Sequence, residues 1–271
     1  MPRPQLPDGL YVSVSQVKAW LRCPRQFELH YVRGIAPAFV PVNLAFGSAI
    51  HEGLAAFYGE LKSTGVPLRR DLVLDTFRAA WASATEGDVP LQVDEEGDDT
   101  AQMVDKGVSL LHAFHQHATN GGAPEAVEAV EMGFIVDLHD LDSGEVVDEK
   151  LVGTVDLIVR EGGRRFIYEH KTASKKYARD QLDNDFQLTA YKLAARQMGM
   201  GDVGLKFQVL VKTKVPAIQI AEVARDYHAE NDFLRTAVGV LKAIDAGISF
   251  PIRGWQCRGC QWAHVCRGAG S

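Results

Sequence analysis

The chain has 271 residues, 46% of them hydrophobic and 24% charged, with a formal net charge of -6: enough apolar material for a large core, and too acidic for a uniformly basic nucleic-acid binder. No run of 18 apolar residues occurs and MPRPQLPDGL lacks the apolar stretch of a signal peptide, so the expectation is a cytoplasmic protein with no membrane partner. The four cysteines, Cys23, Cys257, Cys260 and Cys266, include a C-x-x-C pair, which in a reducing compartment points to metal or redox chemistry rather than to disulfides.

Ser13 or Ser15 can cap a first helix carrying Val17, Trp20, Leu21, Phe27 and Tyr31 at roughly helical spacing, and Pro24 breaks or restarts it beside Cys23. A second helix begins at Asn43, with Ala49, Ile50, Leu54, Phe57, Tyr58 and Leu61 as apolar members. Its His51 either packs in the core or, as a neutral imidazole, completes a metal site. A third helix is expected over 71–82, a solvated acidic loop over 86–99, and a fourth helix over 100–117. His112, His115 and His117 on the fourth lack the i, i+4 pairing of a zinc-protease helix. Residues 125–141 read as a strand that turns at 142–144 toward the next segment. Glu131 on that strand could reach a site there but is not counted among its residues.

Residues 151–172, LVGTVDLIVREGGRRFIYEHKT, predict a hairpin with strand segments 152–160 and 165–171 around Gly162-Gly163. With those glycines as the loop, Glu161 faces Arg164 and Asp156 falls opposite Glu169, Cβ atoms about 4.5–5.5 Å apart. Lys171 lies two residues on and shares the face. Two carboxylates this close raise each other's pKa, and a cation such as Mg²⁺, held by carboxylate oxygens and water, relieves them. The competing reading is a surface hairpin with a Lys-Glu pair. A mobile loop over 174–186, a helix over 185–198 with Gln187 and Tyr191 on one face, a strand over 205–212 and a helix over 227–246 follow. Together they give an α/β fold with a mixed sheet.

The tail WQCRGCQWAHVCRG has C-x2-C-x5-C spacing, and Cys23 is the remaining cysteine able to supply a fourth ligand. One centre holding all four would tie the first helix to the tail, worth roughly 5 kcal/mol by chain entropy. Structural zinc competes for such a site.

In this order the chain resembles the PD-(D/E)XK nuclease superfamily in its RecB-like branch, and more narrowly the iron-sulfur exonucleases related to CRISPR-associated adaptation nucleases and the AddB nuclease domain. The resemblance rests on Cys23 in YVSVSQVKAWLRCPRQFELHYV, His51 in FGSAIHEGL, Asp156 in GTVDLIV, Glu169-His170-Lys171 in IYEHKT, Gln187 with Tyr191 in QLTAYKL, and the cysteine tail. It implies one RecB-like nuclease domain over 1–271 with a restriction-endonuclease-like mixed central sheet flanked by helices. It further implies a helical insertion over 61–122 and a cluster region over 251–271 joined to Cys23. By resemblance, His51, Asp156, Glu169 and the His170 carbonyl hold Mg²⁺ or Mn²⁺, and Lys171 acts on the attacking water. Asp156, Glu169 and Lys171 are the catalytic residues, and Gln187 and Tyr191 contact the DNA backbone. Cys23, Cys257, Cys260 and Cys266 carry a 4Fe-4S cluster, with structural Zn²⁺ as the alternative. Glu169 stands where many relatives have Asp, and no P-loop motif accompanies the nuclease.

The implied activity is hydrolysis of DNA phosphodiesters, as an exonuclease preferring single-stranded ends, in recombination, repair or processing. Lys175, Lys176 and Arg179 beside the site, with Arg22, Arg25, Arg253, Arg258 and Arg267 near the cysteines, could line a channel for a strand. Two alternatives stay open: an adaptation nuclease working beside an integrase partner, and a non-catalytic DNA-binding assembly subunit.

Overall fold

The computed structural model describes residues 11–87, 89–93 and 100–268. Strand β1 (Tyr11–Ser13) runs into helix α1 (Val14–Arg22) through a capping box, in which the Ser13 hydroxyl accepts the Gln16 N–H at 3.2 Å and Gln16 Oε1 accepts the Ser13 N–H at 2.7 Å. Pro24 restarts the chain as α2 (Pro24–Phe27), leaving Cys23 extended at the junction. After β2 (Val40–Pro41), α3 (Val42–Thr64) runs until the left-handed Gly65 closes it. Then come α4 (Arg70–Thr85), β3 (Leu91–Gln92), which pairs with β2, and α5 (Thr100–His117). Half of the predicted acidic loop, residues 88 and 94–99, lies outside the described residues, and the described half contains β3, paired to β2 where a loop was expected.

The central sheet is built from β1, β4 (Ala126–His139), β5 (Val146–Glu161), β6 (Arg164–Ala173), β7 (Val203–Val211) and β8 (Ala217–Val223). Its order is β1-β5-β6-β7-β8, with β4 also paired to β5. The β1-β5 and β6-β7 pairs are parallel and the others antiparallel, so the sheet is mixed as expected. Helices α6 (Arg179–Asp183), α7 (Phe186–Gln197), α8 (Tyr227–Asp245) and α9 (Ala263–Gly268) complete the described chain.

Helices cover both faces. Val17, Leu188, Tyr191 and Phe233 of α1, α7 and α8 pack on Phe134, Ile158 and Phe207. On the other face, Phe46, Phe57, Phe77 and Phe114 of α3, α4 and α5 pack on Leu157, Val159, Tyr168 and Leu210. Within the segment 61–122, expected as an insertion, α4 and α5 share the cover of this face with α3. The expected mobile loop over 174–186 contains α6 and is pinned: the Arg225 guanidinium donates to the Leu182 carbonyl at 2.6 Å and to that of Asp185 at 3.2 Å. Strand β8 is an addition to the sequence reading. Among the described residues no helix is long and apolar enough to cross a membrane.

Candidate functional site

The Gly162-Gly163 turn sets the predicted register, Glu161 pairing with Arg164 and Leu157 with Tyr168. The ladder stops there, one residue short of Asp156 and Glu169. One edge of β5 serves two partners in succession, β1 at Lys150, Leu151 and Val152, then β6 from Leu157 onward. In the gap between them the His170 N–H donates to the Asp156 carboxylate at 2.7 Å, a side chain standing in where the strand pairing has ended.

Strand β4 approaches the same gap from the other side. Val130 lies opposite Leu157 and Met132 opposite Val155, which brings Glu131 opposite Asp156. Glu131 has φ 49°, the one left-handed non-glycine backbone among the described residues, at a cost of roughly 1–2 kcal/mol. It marks a reversal of the pleat. Met132 and Val155 pack toward the α7 side of the sheet, whereas Val130 and Leu157 pack toward the α3 side.

His51, on α3, reaches this point with its Nδ1 3.8 Å from Asp156 Oδ1. One ligand atom each from His51, Glu131 and Asp156 lies within 4.8 Å of the other two. Glu169 is 4% exposed; its Oε1 takes the Lys171 ammonium, while its Oε2 is buried without a hydrogen-bond partner. A buried carboxylate oxygen left bare is costly. Here it accompanies an imidazole and two more carboxylates, a donor set that fits Mg²⁺ or Mn²⁺.

The electrostatics agree. Burial first, and then the nearby Glu169 carboxylate, push the Asp156 pKa well up, against the stabilising His170 N–H. Burial, helped by Glu52 and Glu169, raises Glu131 to about 7. Burial depresses His51 despite Glu169, which favours the neutral imidazole a metal needs. For Lys171 burial pulls downward, but the Glu169 carboxylate outweighs it and the ammonium is held above its ordinary range.

Asp156, Glu169, Lys171 and His51 therefore meet as the sequence suggests, and Glu131, left out of that set, joins them. A signal for it existed: Asp137 and Lys150 are oppositely charged partners in the β4-β5 pair, and that register carried inward reaches Glu131 and Asp156. The His170 ring turns to the other face and stacks on Tyr58, ring centroids 5.6 Å apart. Tyr191, expected at the DNA, is buried at 1% exposure, its hydroxyl donating to the Thr154 carbonyl at 2.5 Å. Gln187, one turn earlier on α7, keeps partial exposure.

A second cluster forms where the chain ends meet. All four cysteines are free and line one cavity with Leu29 and Ile252. Burial pushes the Cys260 thiol up, and Cys23, Cys266 and Cys257 add to the shift. The Arg25 N–H donates to the Phe250 carbonyl at 3.1 Å, and Trp262 Nε1 to that of Ile35 at 2.8 Å, binding tail to N-terminal segment.

The family profile of the PD-(D/E)XK nuclease superfamily matches residues 11–267. Among solved structures, one from Eubacterium rectale with a provisional assignment as an exonuclease superposes with a TM-score of 0.56 at 14% identity, covering 96% of this chain and 88% of that one. The protein SSO0001 superposes with a TM-score of 0.48 at 13% identity, covering 98% and 90%. No curated protein matches the chain.

Proposed function

The chain belongs to the PD-(D/E)XK nuclease superfamily, and on that footing we propose that it is a Mg²⁺- or Mn²⁺-dependent deoxyribonuclease of the RecB-like branch, an exonuclease that trims single-stranded DNA ends. The observation that carries the metal is the meeting of His51, Glu131 and Asp156 beside the bare Glu169 Oε2. His51, Glu131, Asp156 and Glu169, with the His170 carbonyl, are its proposed ligands. A divalent cation there supplies Lewis-acid charge neutralisation and an acidified water for attack on phosphorus. Lys171 keeps its proton on Nζ because Glu169 faces it, so its part is to donate to the phosphate oxygen on which negative charge grows. Tyr191 holds the β5 backbone at Thr154, and Gln187, half-buried beside it, is the proposed contact to the DNA backbone. The exonuclease assignment of the Eubacterium rectale protein accords with end trimming. The four thiols around one cavity fit a 4Fe-4S cluster joining Cys23 to the tail.

The test is cleavage of labelled single- and double-stranded DNA in Mg²⁺, Mn²⁺ and EDTA. Short products should leave linear single strands only with metal, closed circles should survive, and Lys171→Ala should lose about 100-fold or more. Equal cutting of circles and linear strands, or undiminished activity in Lys171→Ala, would overturn the reading. Anaerobically purified protein should be brown, with broad absorption near roughly 400 nm; colourless protein carrying zinc would refute the cluster.

A further inference from the structure

The two segments that meet at the cysteines, 14–33 and 246–268, carry seven lysines and arginines against a single acid, Glu28, in a chain of net charge -6. Lys18 pairs with Asp185 and Arg25 with Glu28, whereas Arg22, Arg253, Arg258 and Arg267, all exposed, make no ion pair among the described residues. Trp255 stands among them. It is 80% exposed, with the Arg22 guanidinium 5.7 Å from the centre of its ring, and its carbonyl accepts the Arg258 N–H at 3.1 Å. Trp262, seven residues on, is 3% exposed, so the segment can bury an indole and leaves this one out. Half-exposed Phe250 lies beside the same junction, its carbonyl bound to the Arg25 N–H.

Helix α1 links this surface to the active site. Lys18 and Arg22 lie one turn apart on one helix face, about 6 Å along the axis. Lys18 holds Asp185, the cap of α7, whose charge is felt by Lys171; Arg22 covers Trp255. An exposed aromatic face with unpaired guanidiniums around it suits an unpaired nucleotide, which offers a base to stack and phosphates to neutralise. Protein interfaces enrich Trp and Arg as well; binding that depends on the bases of a strand separates a nucleotide from a protein partner.

Resting on the nuclease reading, we propose that Trp255, backed by Arg22, is a stacking platform that grips one base of a single-stranded substrate outside the active site, while Arg253 and Arg258 hold the adjoining phosphates. The test compares wild type, Trp255→Ala and Trp255→Phe, all as full chains, in three assays: binding of labelled oligothymidylate in EDTA, binding of an abasic strand of equal length, and hydrolysis of bis(p-nitrophenyl) phosphate with Mn²⁺. Trp255→Ala should weaken oligothymidylate binding on the order of tenfold. Trp255→Phe should recover most of that loss, and abasic binding and small-diester hydrolysis should stay level. Unchanged oligothymidylate affinity in Trp255→Ala overturns the platform, and so does an equal loss on the abasic strand. A wild type that binds abasic and base-bearing strands alike also rejects it, in favour of a protein-facing surface. Base-dependent binding without small-diester hydrolysis in wild type would instead strike the nuclease reading and leave the platform standing.

Discussion

Replacing Glu131 with Gln removes one negative charge from the cation pocket while keeping the side-chain length and the left-handed backbone. Glu131 titrates at about 7 instead of 4.5, burial being the largest cause. A displacement of that size corresponds to roughly 3 kcal/mol, and because the carboxylate is only partly buried, solvent screening reduces it to about 1–2 kcal/mol. The sign follows from the raised pKa in the folded state. The cost of ionising Glu131 is absent below about pH 4.5, grows as the pH rises, and is complete above about pH 7. In EDTA at pH 8, Glu131→Gln should therefore melt roughly 2–8 °C above wild type, and at pH 4.5 the two should coincide. Mn²⁺ should invert the order, because wild type gains a bound ion while the variant lacks one ligand. Calorimetry across that pH range, with a Mn²⁺ titration at pH 8, measures both. A variant that melts below wild type in EDTA at pH 8, or that binds Mn²⁺ equally well, would refute the assignment of Glu131 to the pocket.

Three further outcomes are expected. Lys171→Ala should lose about 10²–10⁴ in cleavage while still binding Mn²⁺, since it frees Glu169 Oε1; loss of Mn²⁺ binding would recast Lys171 as a structural residue. Tyr191→Phe deletes the hydrogen bond to Thr154 and should cost about 1 kcal/mol in melting experiments with no change in KM for DNA. A raised KM at unchanged stability would restore the direct DNA contact. Cys23→Ser should lose the iron and the absorption near roughly 400 nm, with a drop in stability of up to about 5 kcal/mol; full iron content in that variant would exclude Cys23 as a ligand.

The hairpin was legible because its information is local. Two glycines set the loop and the loop sets the register as far as Leu157 and Tyr168, which leaves Asp156, Glu169 and Lys171 side by side just beyond the last pair. Cysteine spacing and the Ser13 cap were legible for the same reason. Glu131 was harder because nothing in EAVEMGF announces a left-handed glutamate; the pleat reversal arises where two helix layers claim alternate residues of neighbouring strands. Helical spacing put Tyr191 and Gln187 on one face but not how deep that face lies: Tyr191 is buried against the Phe134 ring, 6.0 Å away on a distant strand. Strand β8 sits at the sheet edge with a largely half-buried pattern, so its apolar signal is faint.

The break in strand pairing beside Asp156 gives that residue a second duty as the clasp between β5 and β6. Alanine at this position would strip the proposed ligand and also leave the His170 N–H without an acceptor, so an inactive Asp156→Ala variant would report on architecture as much as on chemistry. Asparagine keeps an oxygen for that N–H and discards only the charge. Asp156→Asn is thus the substitution that separates the two duties.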